Sequence, residues 1–573
     1  MELPRAEYPR PDFARDDWQN LNGFWEFSFQ QPVFDKRILV PFCYQSKASG
    51  IGDPRDVERV WYRRHFTIES ERIGAGRILL HFGAVDYSAT CWINGTFVGE
   101  HQGGHTSFCL DITEQVHSGE NEVVLCAADD LAADKPRGKQ SWIGKPFHCW
   151  YTATTGIWQS VWIEYAGDVY LRRVKITPDV DRMQATYELF LSSSETCMVE
   201  IQQSLETKEE ANTFAQLNVK CKNGYGKAIA SFPDWDIRRN ELLWSPDRPN
   251  LIDVNIRVVN PGKDDRVSTY FGLRQISISG SSILLNGDLC FQRLVLDQGY
   301  WPDSLLTPPS DEAIRQDIQL VKDMGFNGVR KHQKIEDPRF YYWADKMGLL
   351  VWGELPSAYQ FNDNAIERSS RELIEFVERD YNHPCIITWV PINESWGVRN
   401  ILTDQQQQDY ARALLYLIKS LDKTRLISGN DGWEQISQTD ICAIHDYSLQ
   451  TDTLDKYHNM EKVLHTGVRN RILYADGNAH CHQPIIMSEY GGIAFEHDTA
   501  QGWGYYDGAK DEQEYLERIL SVTHFLRDSG LFAGYCYTQL TDVLQEVNGL
   551  LTQERKPKVP IEQLKTVFCS REG

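Results

Sequence analysis

From about residue 276 onward, short apolar runs alternate with amphipathic helical stretches, a pattern that restricts the chain to a parallel sheet wrapped by helices. Leu294-Val295-Leu296 is the first run and ends at Asp297-Gln298-Gly299-Tyr300-Trp301. A helix follows with Ile314, Ile318, Val321 and Met324 on one face, opened by Pro309 and Ser310 and closed by Gly325. Phe326 to Arg330 is the second strand, and a helix through Phe340, Ala344 and Met347 closes at Gly348. The third to fifth strands are Leu349–Trp352, Cys385–Val390 and Leu426–Ser428, the last preceded by a helix across Tyr410 to Leu421. Ile441–Ile444, Pro484–Ser488 and Ala533–Gln539 complete the set. Eight strands alternating with helices over about 300 residues predict a (β/α)8 TIM barrel, whose chemistry sits at the carboxyl ends of its strands. A doubly wound sheet is the runner-up, but it leaves unexplained why polar residues mark nearly every strand end.

The 573 residues exceed one domain, and the segment before the barrel reads as β-structure. Trp25–Phe29, Val60–Phe66, Ile78–Phe82 and Glu122–Cys126 are short, partly alternating and bounded by turn residues. Asn94-Gly95 between Ala89–Ile93 and Thr96–Gly99 signals a type I′ hairpin. These strands predict a jelly-roll β-sandwich over 1–166. Val174–Ile176, Tyr187–Leu191, Met198–Ile201 and Ile252–Val258 alternate with period two and predict a second β-sandwich over 167–275, ahead of the barrel at 276–573. The charged stretch 206–210 reads as a solvated loop. The basic loop Lys135–Trp142 is either another solvated loop or a projection that walls off a neighbouring pocket.

A net charge of −22 repels phosphate backbones and anionic lipid, so neither nucleic acid nor membrane is an expected partner. No apolar run approaches the roughly 18 residues of a membrane span. Met1-Glu2-Leu3-Pro4-Arg5 lacks the apolar core of a signal peptide. Thirteen scattered cysteines without a CxxC pair suit free thiols in a reducing, cytoplasmic setting. No phosphate loop or metal-ligand spacing is present, so no cofactor and no metal are expected. Seventeen tryptophans suit stacking on sugar rings, although large cores also use Trp.

The strand ends carry the chemistry. Strand four opens into Pro391-Ile392-Asn393-Glu394-Ser395-Trp396-Gly397, and strand seven ends at Glu489-Tyr490-Gly491-Gly492. Two carboxylates delivered to one barrel mouth can flank a glycosidic bond, one protonating the leaving oxygen and the other attacking the sugar. Asn393 offers an amide to a sugar 2-hydroxyl. Arg330 and Tyr447 can hold a nucleophilic carboxylate ionised, since a cation and a phenol donor both lower its pKa. Asp297, His332, Trp396 and His445 complete the candidate sugar contacts. Glu354 and Asp542 also lie at strand ends and read better as structural acids.

The order of the segments, with Asn-Glu-Ser-Trp-Gly and Ser-Glu-Tyr-Gly-Gly, resembles glycoside hydrolase family 2. The resemblance spans the chain through Asn20–Trp25, Thr155–Gln159, Leu243–Pro246, Phe271–Arg274 and Asn327–Arg330. It implies an immunoglobulin-like middle domain and a retaining double displacement, with Glu394 as acid/base and Glu489 as nucleophile. It matches Tyr537 to the substrate-binding aromatic, commonly Trp, on strand eight. Lys331-His332-Gln333-Lys334 replaces the family's Ser-His-Tyr-Pro, and Glu546-Val547-Asn548-Gly549 replaces the Asn-x-Lys-Gly loop by which its β-glucuronidases grip a uronate. The expected enzyme is therefore a β-galactosidase-like exo-glycosidase taking a neutral sugar from a glycoside or oligosaccharide, with a homo-oligomer left open. Alternatives are an arabinosidase or furanosidase, a β-glucuronidase, and a non-catalytic carbohydrate-binding paralogue.

Overall fold

The computed structural model describes residues 3–206, 211–232, 239, 241–448, 454–468, 470–495, 502–505 and 508–569. The charged stretch at 207–210 thus lies outside the described residues. In the first domain, a six-stranded sheet containing Gly23–Phe29, Arg59–Ile68 and Gly119–Ala128 packs on a four-stranded sheet containing Arg77–Phe82 and Val161–Ala166. Trp25, Phe27, Tyr62, Leu80 and Leu125 are among the side chains of its core. The Asn94-Gly95 hairpin is present, with φ of 49° and 78° at the two turn residues, as a type I′ turn requires.

The second domain is a five-stranded sheet facing a three-stranded one. The short strand Phe13–Ala14 pairs with Asp265–Phe271, so the chain begins in this sheet before it builds the first sandwich. The next residue ties the two domains together. Buried Arg15 donates to Asp265 Oδ1 at 2.9 Å, to Glu164 Oε2 at 2.5 Å and to the Leu171 carbonyl at 2.7 Å.

The third domain holds the eight parallel strands that the sequence predicts. They are Gln292–Asp297, Gly328–Lys331, Leu350–Glu354, Ile386–Val390, Leu426–Ile427, Cys442–His445, Ile485–Gly491 and Gly534–Thr538, here called barrel strands one to eight. Their hydrogen-bonded order runs five-four-three-two-one-eight-seven-six. Strands two, three, four and six to eight are buried throughout, which explains their continuous apolar runs. The helices start and stop where the sequence places them. Ser310 caps Asp311–Asp323 by accepting from Ala313 N, Pro338 opens Pro338–Met347, and Gly348 closes it in the left-handed region at φ 71°. Among the described residues, no helix is long and apolar enough to cross a membrane.

Removing one partner from a buried ionic cluster leaves uncompensated charge and costs about 3–5 kcal/mol. Arg15→Ala should therefore lower the thermal unfolding midpoint measurably, and an unchanged midpoint would show that this junction does not stabilise the fold.

Candidate active site

Barrel strand four is wholly buried, and the chain turns sharply where it leaves the sheet. Glu394 and Ser395 both adopt left-handed backbone, at φ 50° and 58°. Non-glycine residues are uncommon there, and two in a row persist only when neighbours enforce them. The enforcing contacts are visible. Glu394 N donates to the Asp431 carbonyl at 2.9 Å, Ser395 N to Asn430 Oδ1 at 3.0 Å, and Ser395 Oγ to Glu434 Oε2 at 2.6 Å. The turn aims the Glu394 carboxylate at His445, whose Nδ1 lies 2.8 Å from Glu394 Oε1.

Glu489, on barrel strand seven, approaches the same ring nitrogen, with Oε2 3.5 Å from His445 Nδ1. Its Oε1 accepts from Arg330 Nη1 at 3.0 Å, and its Oε2 accepts from the Tyr447 hydroxyl. Burial pushes the Glu489 carboxyl up, but the charges of His445, Arg330 and His332 and the Tyr447 hydrogen bond outweigh it, leaving it below the usual carboxylate range. Such a group is ionised at neutral pH. One carboxylate oxygen of Glu394, one of Glu489 and one ring nitrogen of His445 all lie within 4.8 Å of one another. Both His445 nitrogens engage carboxylates, since Nε2 stands 2.7 Å from Asp431 Oδ1. The imidazole thus links the two glutamates to Asp431.

Arg330 anchors the floor. It has no exposed side-chain surface and reaches Glu354 at 2.7 Å, Asp431 at 2.9 Å and Asn393 Oδ1 at 2.6 Å besides Glu489. Fixing the Asn393 oxygen on Arg330 leaves its amide nitrogen buried without a hydrogen-bond partner. That is the arrangement expected of a donor reserved for a substrate hydroxyl. Glu354 is a structural acid, held at a pKa of about 2 because Arg330 and His332 more than offset its burial. Asp542 is structural too, accepting from Lys558 Nζ at 2.7 Å and from Gly549 N at 2.8 Å.

The structure brings Arg330, Asn393, Glu394, His445, Tyr447 and Glu489 into one cluster. His332 lies at its rim, 3.0 Å from Glu354 and 6.0 Å between ring centroids from Trp396. Asp297 does not join it, because its carboxylate is held by Lys331 Nζ at 2.6 Å and Gly299 N at 2.8 Å. Tyr537 is misplaced by the sequence reading. It packs against Tyr490 and Phe568 in the layer between the sheet and the helices. The pleat turns Thr538 inward instead, with Oγ1 3.4 Å from the Tyr447 hydroxyl.

Several site residues escaped the sequence reading. Asp431 follows strand five without a flanking motif, and Tyr505 stacks on Tyr447 with centroids 3.5 Å apart. The first domain adds others, from the basic loop that the sequence offered as a wall to a neighbouring pocket. Its 135–151 loop docks on the barrel through Arg137 N and Gly138 N, which donate to the Ser357 carbonyl at 3.0 and 3.1 Å, and Trp142 stacks on Tyr359 at 4.1 Å. The loop walls the barrel mouth with Lys139, Cys149, Trp150 and Tyr151, and the Tyr151 hydroxyl donates to Glu546. The signal in sequence was the clustering of Lys, Arg and Trp on one long loop. A cleft of about 980 Å³, lined by residues including Trp301, Gln316 and Arg555, contains none of this cluster.

With the geometry established, comparison with known proteins identifies the class. Residues 24–135 match "Glycosyl hydrolases family 2, sugar binding domain", 169–274 match "Glycosyl hydrolases family 2", and 309–570 match "Glycosyl hydrolases family 2, TIM barrel domain". The chain belongs to glycosyl hydrolase family 2. It is similar to a β-galactosidase of Thermoanaerobacter pseudethanolicus, at 27% identity over 72% of this chain and 54% of that protein. It is similar to a β-glucuronidase of Paenibacillus borealis, at 23% identity over 98% of both. In fold it is similar to a β-galacturonidase from Eisenbergiella tayi bound to galacturonate, with TM-score 0.77, 19% identity and 99% of each chain covered. The chain spans only 38–54% of the length of the first four curated relatives.

Two outcomes follow from the site. Gly138 has φ 58°, and a Cβ there would lie 2.1 Å from the Gln333 carbonyl oxygen. Gly138→Ala should therefore lift the loop and lower kcat/KM by about tenfold or more, roughly 1.4 kcal/mol; wild-type kinetics would show that loop position is unimportant. Burial lowers the His445 pKa, but Glu489, Asp431 and Glu394 raise it more, to about 10 from 6.5. A raised folded-state pKa gives stability that is complete below the unfolded value and lost as pH climbs to the folded one. The Tm advantage of wild type over His445→Gln should therefore shrink between about pH 6.5 and 10, and a constant difference would contradict the charged imidazole.

Proposed function

We propose that this protein is a retaining, exo-acting glycosidase. In the first step Glu489 attacks the anomeric carbon and the bond to the aglycone oxygen breaks, while Glu394 delivers its proton to that oxygen. In the second, Glu394 accepts a proton from water, whose oxygen attacks the anomeric carbon and releases Glu489. Asn393 binds the 2-hydroxyl, and Arg330 and Tyr447 keep Glu489 ionised. One observation carries this reading: an oxygen of Glu394 and an oxygen of Glu489 approach within 4.8 Å beside His445. Direct attack with retention uses carboxyl groups about 5–5.5 Å apart, whereas inversion needs room for a water at about 6.5–9.5 Å. The loop from the first domain closes the barrel mouth on one side, which supports release of single terminal sugars.

For the glycone, two readings have specific support. A neutral, galactoside-like sugar is supported by the Glu546 carboxylate where family glucuronidases place a lysine. Neither Lys331 nor Lys334 restores such a cation, because Glu336 pairs with both at 2.7 Å. With those lysines fixed in ion pairs, the arabinosidase and furanosidase reading loses its motive. An acidic sugar is supported by Lys139 and by end-to-end similarity to the β-glucuronidase of Paenibacillus borealis.

Glu489→Gln should fold normally and lose about 10⁴-fold or more in kcat, as loss of a covalent nucleophile does. Azide should restore turnover to Glu489→Gly by forming the opposite-anomer glycosyl azide. Near-normal rates in Glu489→Gln, or an inverted product by NMR in wild type, would refute the mechanism.

A further inference from the structure

A buried lysine in a folded protein ordinarily has a carboxylate beside it, because desolvating an unpaired charge is costly. The lysines around this barrel follow the rule. Lys331 meets Asp297 at 2.6 Å, Lys334 meets Glu336 at 2.7 Å, Lys558 meets Asp542 at 2.7 Å and Lys135 meets Asp130 at 2.6 Å. Lys139 is different. It is 6% exposed, yet among the described residues no carboxylate oxygen lies within 4.0 Å of its ammonium. Its close surroundings are aromatic, with Nζ 5.2 Å from the Trp396 ring and 5.9 Å from the Tyr151 ring. The Cys149 thiol is hydrogen-bonded to it, but burial outweighs the lysine and pushes that thiol up to about 11, so Cys149 supplies a neutral partner and not a counter-ion.

Lys139 nevertheless belongs to the catalytic pocket. Trp396 is two residues from Glu394, and the charges of Glu546, Glu489 and Glu394 all act on the lysine. None of the three is free to pair with it. Glu489 is held by Arg330 and Tyr447, and Glu394 by His445. Both Glu546 oxygens are engaged, one by the Tyr151 hydroxyl and the other by Asn548 Nδ2 at 3.1 Å. The loop backbone fixes the lysine in place, since Tyr151 N donates to the Lys139 carbonyl at 2.7 Å. A neutral sugar would leave this cation with distant carboxylates only and no directly paired one.

We infer that Lys139, supplied by the first domain, is a specificity-determining residue that pairs with a carboxylate on the terminal sugar, making hexuronides the preferred substrates. The inference rests on reading this pocket as a glycosidase site, and it deepens that reading by naming the substrate class. Lys139 then does from the jelly-roll loop what the strand-eight loop, with Glu546 and Asn548, cannot do. Glu546 opposes an acidic sugar at longer range, so the ion pair with Lys139 must outweigh that repulsion.

The test compares kcat/KM for nitrophenyl β-glucuronide and β-galacturonide with that for the β-glucoside and β-galactoside. Wild type should favour a uronide. Lys139→Met should lower the uronide-to-neutral ratio by about a hundredfold, the effect of truncating one partner of a buried charge pair, and Lys139→Arg should recover part of it. A wild-type preference for neutral glycosides, or a ratio unmoved by Lys139→Met, would overturn the inference. Free glucuronate and galacturonate supply a readout that needs no turnover. They should raise the Tm of wild type and of Glu489→Gln more than glucose or galactose do, and this excess should vanish in Lys139→Met. Uronate binding that depends on Lys139 without cleavage of any glycoside would refute the proposed catalysis and leave the inference standing. Cleavage confined to neutral glycosides would do the reverse.

Discussion

The architecture of the site depends on one desolvated guanidinium. Arg330 rises from barrel strand two with no exposed side-chain surface, and removing such a charge from water is unfavourable by several kcal/mol unless its donors are matched. Here they are matched by Glu354 at the end of strand three, Asn393 after strand four, Asp431 after strand five and Glu489 on strand seven. A planar fork with five donors can serve that many acceptors in fixed directions, which an ammonium cannot. The same contacts that stabilise Arg330 therefore orient the ends of the strands that surround it. Asp431 in turn holds His445, and His445 reaches both Glu394 and Glu489. The position of each carboxylate is thus a consequence of satisfying one buried cation.

The two ends of the chain contribute differently to the pocket. The barrel provides rigid strand ends for groups whose separation must be held closely, as bond making and breaking require. The jelly-roll domain provides a loop, and loops vary without disturbing the scaffold beneath. The loop can approach only because Gly138 lacks a side chain where the Gln333 carbonyl passes. Its aromatic residues then pack among Tyr359 and Trp396 from the barrel. The two paired glutamates and the loop that walls them are accordingly carried by different domains.

The Lys331-His332-Gln333-Lys334 stretch illustrates how burial changes the meaning of a charge. In the sequence it looks like a cationic patch beside the site. In the structure Lys331, Lys334, Asp297 and Glu336 neutralise one another below the mouth, and the Lys334 ammonium also donates to the Gly299 and Leu306 carbonyls. Lys334 is even pushed down to about 8, because burial outweighs its partner. The lysine that faces the pocket comes from the other domain.

The sequence alone determined the eight-strand barrel, the two sandwiches and the pair of glutamates, because these follow from local rules. Buried parallel strands must be apolar, helices must be amphipathic and capped, and a strand's carboxyl end is marked by the residues that leave the sheet. Family motifs added the roles expected of Glu394 and Glu489. Facing and partnership were decided only by the tertiary structure. Tyr537 and Thr538 are adjacent, and the pleat sends one to the core and the other to the site. Asp297 and Lys331 cancel each other, Asp431 acquires its place from Arg330, and Lys139 enters a pocket built by residues far along the chain. Electrostatic roles depend on which charges share a desolvated volume, and that sharing is fixed only when the domains have packed.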